Sequence, residues 1–145
     1  METFDSSFNV RDLIPFLVGR GHCQLLGMQF SDAGDAWCEL SLPYRADLAG
    51  DADTGIMASG PIFALMDMAS GMSIWSARKK FLPHVTLDLR VDYPRPAKPG
   101  ATIYGRSECY RMTKSVAFVR GLAHDGNVDK PVAHIAGTFM FVDAP

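Results

Sequence analysis

Several features that would fix a function at sight are missing from this chain. There is no basic excess and no acidic or basic tail: 14 Lys and Arg against 16 Asp and Glu leave a formal charge of -2. That balance gives no electrostatic footprint for nucleic acid. Cysteine is scarce, and Cys23, Cys38 and Cys109 show no CxxC spacing, so they read as core thiols of a reducing cytoplasm. His22, His84, His124 and His134 have neither HxxxH nor HExxH spacing, and no metal is expected. A GxSxG elbow, a Walker loop and a dinucleotide fingerprint are all absent, and no redox cofactor is expected. The opening residues Met1, Glu2, Thr3, Phe4 and Asp5 carry acids and no apolar leader core. The one long apolar segment is interrupted by Asp67, serines and glycines, and is too short and polar to cross a bilayer. No repeat, linker or low-complexity stretch divides the 145 residues. The expectation is one cytoplasmic domain over residues 1–145, with no membrane and no nucleic-acid partner.

What is present is organised around one apolar helix, expected over residues 59–79. Pro61 suits a first helical turn, where its missing N–H costs nothing, with Ser59 or Gly60 as the cap. Ile62, Phe63, Leu65, Met66, Met68, Ala69, Met72, Ile74 and Trp75 cover nearly every direction, and a helix apolar all round is normally buried all round. Asp67 sits in its middle. A carboxylate there must be hydrogen-bonded, paired, proton-bearing or in use.

Before it, Val10, Leu13, Ile14, Leu17 and Val18 give a short amphipathic N-terminal helix ended by Gly19, part of a helical extension over residues 1–20. Residues 23–30 and 36–42 read as strands joined by a turn at 31–35. A Gly- and Asp-rich irregular stretch, 48–55, leads into the long helix. After it, Val85, Leu87, Leu89, Val91 and Tyr93 alternate with Thr86, Asp88, Arg90 and Asp92, the cleanest strand pattern in the chain. By that alternation Thr86 shares a face with Asp88, Arg90 and Asp92. Three further strands follow at 101–110, 115–123 and 132–142. One antiparallel sheet wrapped around one helix satisfies this order. The sheet covers only one side, so the N-terminal helix or a second subunit must cover the other.

This arrangement resembles the hotdog fold, an α+β architecture, and in particular the acyl-CoA thioesterases of the phenylacetate-degradation (PaaI-like) type. The resemblance runs over residues 23–142. It is carried by Gly55, by Ser59-Gly60 at the helix start, by Asp67, and by Val85 to Leu89 on the next strand. The turn from Arg95 to Gly100 and the last strand, with Val132-Ala133 and Gly137-Thr138-Phe139, also match. The family's loop Asn and helix-start His are Ala52 and Ala58 here, with Asp51 and Asp53 flanking the first. The resemblance implies an acyl-CoA substrate, coenzyme A entering only as part of it, and a homodimer paired into a dimer of dimers.

Asp67 reads either as a general base or nucleophile against a thioester carbonyl, or as an aspartate tied to Ser, Thr or backbone for fold specificity; the resemblance favours catalysis. The amides of Ser59 and Gly60 either cap a helix or hold a carbonyl oxygen as it gains charge. By resemblance the Ser59 N–H is the oxyanion donor. Eight residues of helix put Ser59 and Asp67 about 12 Å apart, too far to grip one thioester, so both act only from different subunits. Thr86 either orients Asp67 or is an exposed strand threonine. Arg95, Lys98, Arg111 and Lys114 are candidate phosphate partners for coenzyme A, and the resemblance favours Thr113, Lys114 and Ser115 beside the nucleotide. The expected activity is thioester hydrolysis. The alternatives are a non-catalytic acyl-CoA-binding protein and, behind it, a hotdog dehydratase or hydratase.

Overall fold

Asn9 accepts the Arg11 N–H at 2.9 Å and so opens α1 (Val10–Val18), which contains Pro15 and ends at Gly19. The computed structural model describes residues 8–142; the opening residues 1–5 and the outermost ends of the expected domain lie outside the described residues. Residues 23–30 are not one strand. A second short helix, α2 (Gly21–Leu26), precedes β1 (Gln29–Gly34). Gly27 explains the difference: at φ 79 its amide bonds back to Cys23 and Gln24 carbonyls and closes a helix. Cys23 and Leu26, three apart, turn inward while Leu25 points to solvent.

The strands form one antiparallel sheet in the order β1-β2-β6-β7-β8-β5, with β2 (Trp37–Leu42), β5 (His84–Asp92), β6 (Ile103–Met112), β7 (Val116–His124) and β8 (Ala133–Phe141). The irregular stretch before the long helix carries a small ladder of its own, β3 (Ala49–Asp51) with β4 (Ile56–Met57). Cys38, Leu40, Ile103, Cys109, Val119, Ile135 and Phe139 alternate onto the inner face of the main sheet. Against them lies α3 (Ser59–Arg78), with Leu65, Met66, Ala69 and Met72 buried. This is the hotdog arrangement. All three cysteines are free and buried, and burial pushes the Cys38 thiol up to about 12.

Two expectations about α3 are corrected. Its cap is Ala58, which has no side chain to cap with, so Ser59 and Gly60 are the first two helical residues. Burial is also incomplete. From Ala69 to Ile74 every residue is buried, but Ser59, Gly60 and Phe63 are exposed and Ala64, Asp67 and Met68 half-buried. The sheet covers one side along the whole length. The start of α1 shares a crevice with Ser76 and Lys79 at the far end of α3, which leaves the first half open on one flank.

The loop after β5 is fastened by an ion pair. Arg95 donates to both carboxylate oxygens of Asp125 at 2.8 and 2.7 Å, and the Lys98 amide adds a third bond at 2.8 Å. The Asp125 side chain is fully buried, and Arg95 with the Lys98 amide holds its carboxyl well below the usual carboxylate range. A group depressed in this way stabilises the fold above its unfolded value near pH 4 and loses that contribution as pH falls further. Asp125→Asn should therefore cost about 2 kcal/mol at pH 7 in urea unfolding. The gap from wild type should narrow as the titration is repeated from pH 5 down to pH 3; a gap constant with pH would contradict this.

Candidate active site

A β-bulge in β5 builds the site. Thr86 pairs with Phe139 of β8 and Asp88 with Thr138, so Leu87 is an extra residue without a partner. Since side chains alternate with period two, one inserted residue exchanges the faces on either side of it. His84 and Thr86 therefore point at α3 before the bulge, and Leu89 and Val91 do so after it. Asp88, Arg90 and Asp92 lie on the opposite face from Thr86, which corrects the expectation of a shared one. There Arg90 pairs with Asp92 at 3.1 Å, open to solvent.

Thr86 Oγ1 donates to Asp67 Oδ1 at 2.7 Å, a length typical of a charge-assisted bond. Asp67 Oδ2 has no partner among the described residues. Its side chain is half-buried at the open flank of α3, not sunk in the core. The carboxylate thus has one oxygen fixed and one without a partner among the described residues.

The Ser59 and Gly60 amides, exposed at the start of the same helix, have no acceptor among the described residues, as expected where an uncapped helix begins. Tyr93, just past β5, donates its hydroxyl to the Ser59 carbonyl at 3.2 Å. Beside it opens a cleft of about 340 Å³ lined by Ile56, Met57, Ser59, Ile62, Tyr93 and Arg95. Asp67 and the amides remain two turns apart on one helix, so one copy does not bring them together. Tyr93 and His84 are side chains at the site that the sequence did not single out. Their signal was positional: Tyr93 follows β5 into the turn, and His84 stands two residues before Thr86.

Of the expected coenzyme A partners, Arg95 is already engaged. Besides Asp125 it donates to the Pro96 and Lys130 carbonyls, which occupies four of its five N–H groups. Thr113 Oγ1 accepts the Val116 N–H at 3.0 Å and shapes the β6–β7 turn. Lys114 and Ser115 are exposed at the tip of that turn, and Lys114 has no ion pair among the described residues. The Ser115 carbonyl accepts from Phe141 N, and Arg78 lies over the Phe141 ring at 4.4 Å. The tip therefore sits at the end of α3, eleven residues or about 16 Å of helix from Asp67. Asp51 accepts the Asp53 N–H at 3.0 Å and forms the turn where the family has its Asn.

Among the described residues no cluster of His, Cys, Asp or Glu could hold a metal ion, and no helix is long and apolar enough to cross a membrane. A second crevice, of about 500 Å³, lies on the outer face of the sheet among Trp37, Arg106, Glu108, Arg120, Leu122 and His134. It is away from Asp67.

The thioesterase superfamily model matches residues 54–132, more than half of the chain. No curated protein matches it. A Pseudomonas aeruginosa protein of solved crystal structure is 40% identical over 86% of this chain and 93% of its own, with a TM-score of 0.78. A mutant of the phenylacetic acid degradation protein PaaI from Thermus thermophilus is 26% identical, over 82% and 96%, with a TM-score of 0.70. A thioesterase from Haemophilus influenzae, 16% identical over 95% and 93% at a TM-score of 0.81, shares the fold. A mid-helix carboxylate held from the neighbouring strand, on a hotdog sheet wrapped around that helix, thus belongs to a chain that is a member of the thioesterase superfamily.

Proposed function

We propose that the protein hydrolyses acyl-CoA thioesters, with aryl or medium-chain acyl groups, at a site shared by two copies of the chain. Asp67 Oδ2 takes a proton from water while the water oxygen attacks the thioester carbonyl. The Ser59 and Gly60 amides of the second copy receive the oxygen as it becomes negative. When the carbonyl re-forms, the C–S bond breaks, and the coenzyme A thiolate leaves with the proton that Asp67 carried. Thr86 keeps Oδ1 in place throughout. One observation carries this reading: Asp67 has one oxygen tied to Thr86 and the other free, on the flank of α3 that its own protomer leaves uncovered.

The surface around that flank supports the two-copy arrangement. β5 is a free sheet edge, and Phe63, Val85 and Leu87 are 41%, 45% and 53% exposed. An edge with apolar side chains invites a second strand. Dimers then pair through the outer sheet face, where Arg106 lies over Trp37 and Arg120 over Tyr110, residue types common at interface centres. Lys114 and Ser115, with Thr113 shaping their turn, contact the nucleotide end. No metal or redox cofactor takes part, and free buried thiols suit a cytoplasmic setting. A second reading, binding without turnover, draws on Ala52 and Ala58, which carry no polar side chain where the family has Asn and His.

An assay against aryl- and alkyl-CoA thioesters separates the two. Wild type should turn over at least one of them, and Asp67→Ala should lose at least about a hundredfold in kcat. Thr86→Val, which frees the carboxylate to swing, should lose about tenfold or more. Equal rates for wild type and Asp67→Ala reject hydrolysis by this site, and saturable binding without hydrolysis selects the second reading. Leu87→Asp should convert the assembly to monomers in sedimentation velocity and remove activity with it; a fully active monomer would overturn the shared site.

A further inference from the structure

β5 offers α3 a second inward residue beside Thr86. His84 lies two strand positions before Thr86, and Gly71 lies four helix positions after Asp67, rises of about 6.6 and 6 Å. The two contacts are therefore successive rungs of one ladder between β5 and α3. The imidazole rests on the Gly71 backbone, where a Cβ would come within 3.0 Å of Nε2. Trp75 and Phe139 meet the ring edge-on at 5.0 and 5.4 Å. His84 Nδ1 lies 3.1 Å from the Leu82 carbonyl, which leaves Nδ1 as the N–H donor and Nε2, beside Gly71, as the nitrogen that gains a proton.

The groups packed on the ring, Gly71 and Trp75 of α3, Phe139 of β8 and Leu82 of the preceding loop, bring no titratable side chain. The charge that reaches it is Asp67, on α3. Arg78, further along that helix, lies over Phe141 instead. On β5 itself Thr86 is neutral and Asp88 faces away. Burial pushes the imidazole below its ordinary value, and the Leu82 carbonyl, the Asp67 charge and the Gly71 carbonyl offset part of that. The balance favours the neutral ring.

We propose that His84 is a positioning residue for Asp67 and that protonation of its Nε2 switches the site off. Neutral, the ring holds β5 on α3 so that Thr86 reaches Asp67. Charged, it sets a cation one helical turn from the carboxylate, which then accepts a proton from water less readily. This rests on Asp67 as general base, although the coupling between the two side chains exists with or without turnover.

The test follows the assigned His84 ring signals by NMR between pH 4 and 8, in full-length wild type and in Asp67→Asn. The midpoint should fall by about half a pH unit or more when the Asp67 charge is removed, since that charge favours the imidazolium. Coincident midpoints overturn the proposal. In the same pH range kcat should carry an acidic limb at the His84 midpoint, and His84→Asn, which keeps an N–H for Leu82, should move that limb to lower pH. A limb that stays in place also overturns it. If His84→Asn fails to fold, the Asp67→Asn comparison still decides, because His84 is retained there. Wild type without hydrolysis but with coupled midpoints removes the thioesterase reading and leaves the His84–Asp67 link standing. Hydrolysis with uncoupled midpoints removes only the link.

Discussion

A strand of period two cannot turn both His84 and Thr86, and also Leu89 and Val91, toward one helix unless an extra residue intervenes between the sets. Leu87 is that residue. The near half of β5 delivers polar groups to α3, among them the hydroxyl bonded to Asp67. The far half delivers apolar side chains to the core. Without the bulge Thr86 could not share a face with His84 and leave Leu89 and Val91 packed. The bulge also sits on the outermost strand, so the residue it expels lies at a free edge.

The second constraint is that α3 is apolar in more directions than one sheet can cover. Its second half is closed, partly by α1 and partly by small residues: Ser70 bonds Ser107 at 2.9 Å and Ser73 bonds the Ser70 carbonyl at 2.7 Å. Ser70 and Ser73 let helix and sheet approach closely with their own hydroxyls paired. The first half keeps Phe63 uncovered with Asp67 behind it. Burying that flank and bringing a carboxylate to foreign helix-start amides are, in the proposed scheme, the same event. A protomer that completed its own burial would have shut the site.

Much of this was legible from residue order. The rhythm of Val10, Leu13, Ile14 and Leu17 placed α1 despite Pro15, and the all-round apolar run placed α3 to within a residue. Alternation placed β2 and β5 to β8 closely. The bulge was hidden because Val85, Leu87, Leu89, Val91 and Tyr93 alternate without a break in the sequence, although Val85 and Leu87 are exposed and Leu89 joins the core. Two apolar surfaces, one inward and one outward, had merged into one pattern. α2 was missed because six residues are too few for a helical period to stand out against strand-like spacing, and only Gly27 marked it. Arg95 looked like a phosphate handle, because charge is visible in a sequence and a buried partner thirty residues away is not.

The absent family side chains bear on how little the proposed chemistry requires. Amides at a helix start come from the backbone, so Ala58 in place of His leaves the Ser59 and Gly60 donors where they are and removes only a side chain that could crowd or polarise the carbonyl. The carboxylate and its threonine come from α3 and β5, which the substitutions do not touch. What disappears is redundancy. With no Asn and no His to help orient a thioester, alignment would in the proposed scheme fall to the shape of the apolar cleft by Ile62 and Tyr93 and to the fit between two copies. Such a site depends more than its relatives would on how rigidly β5 is held against α3, and that contact is where His84 lies on Gly71.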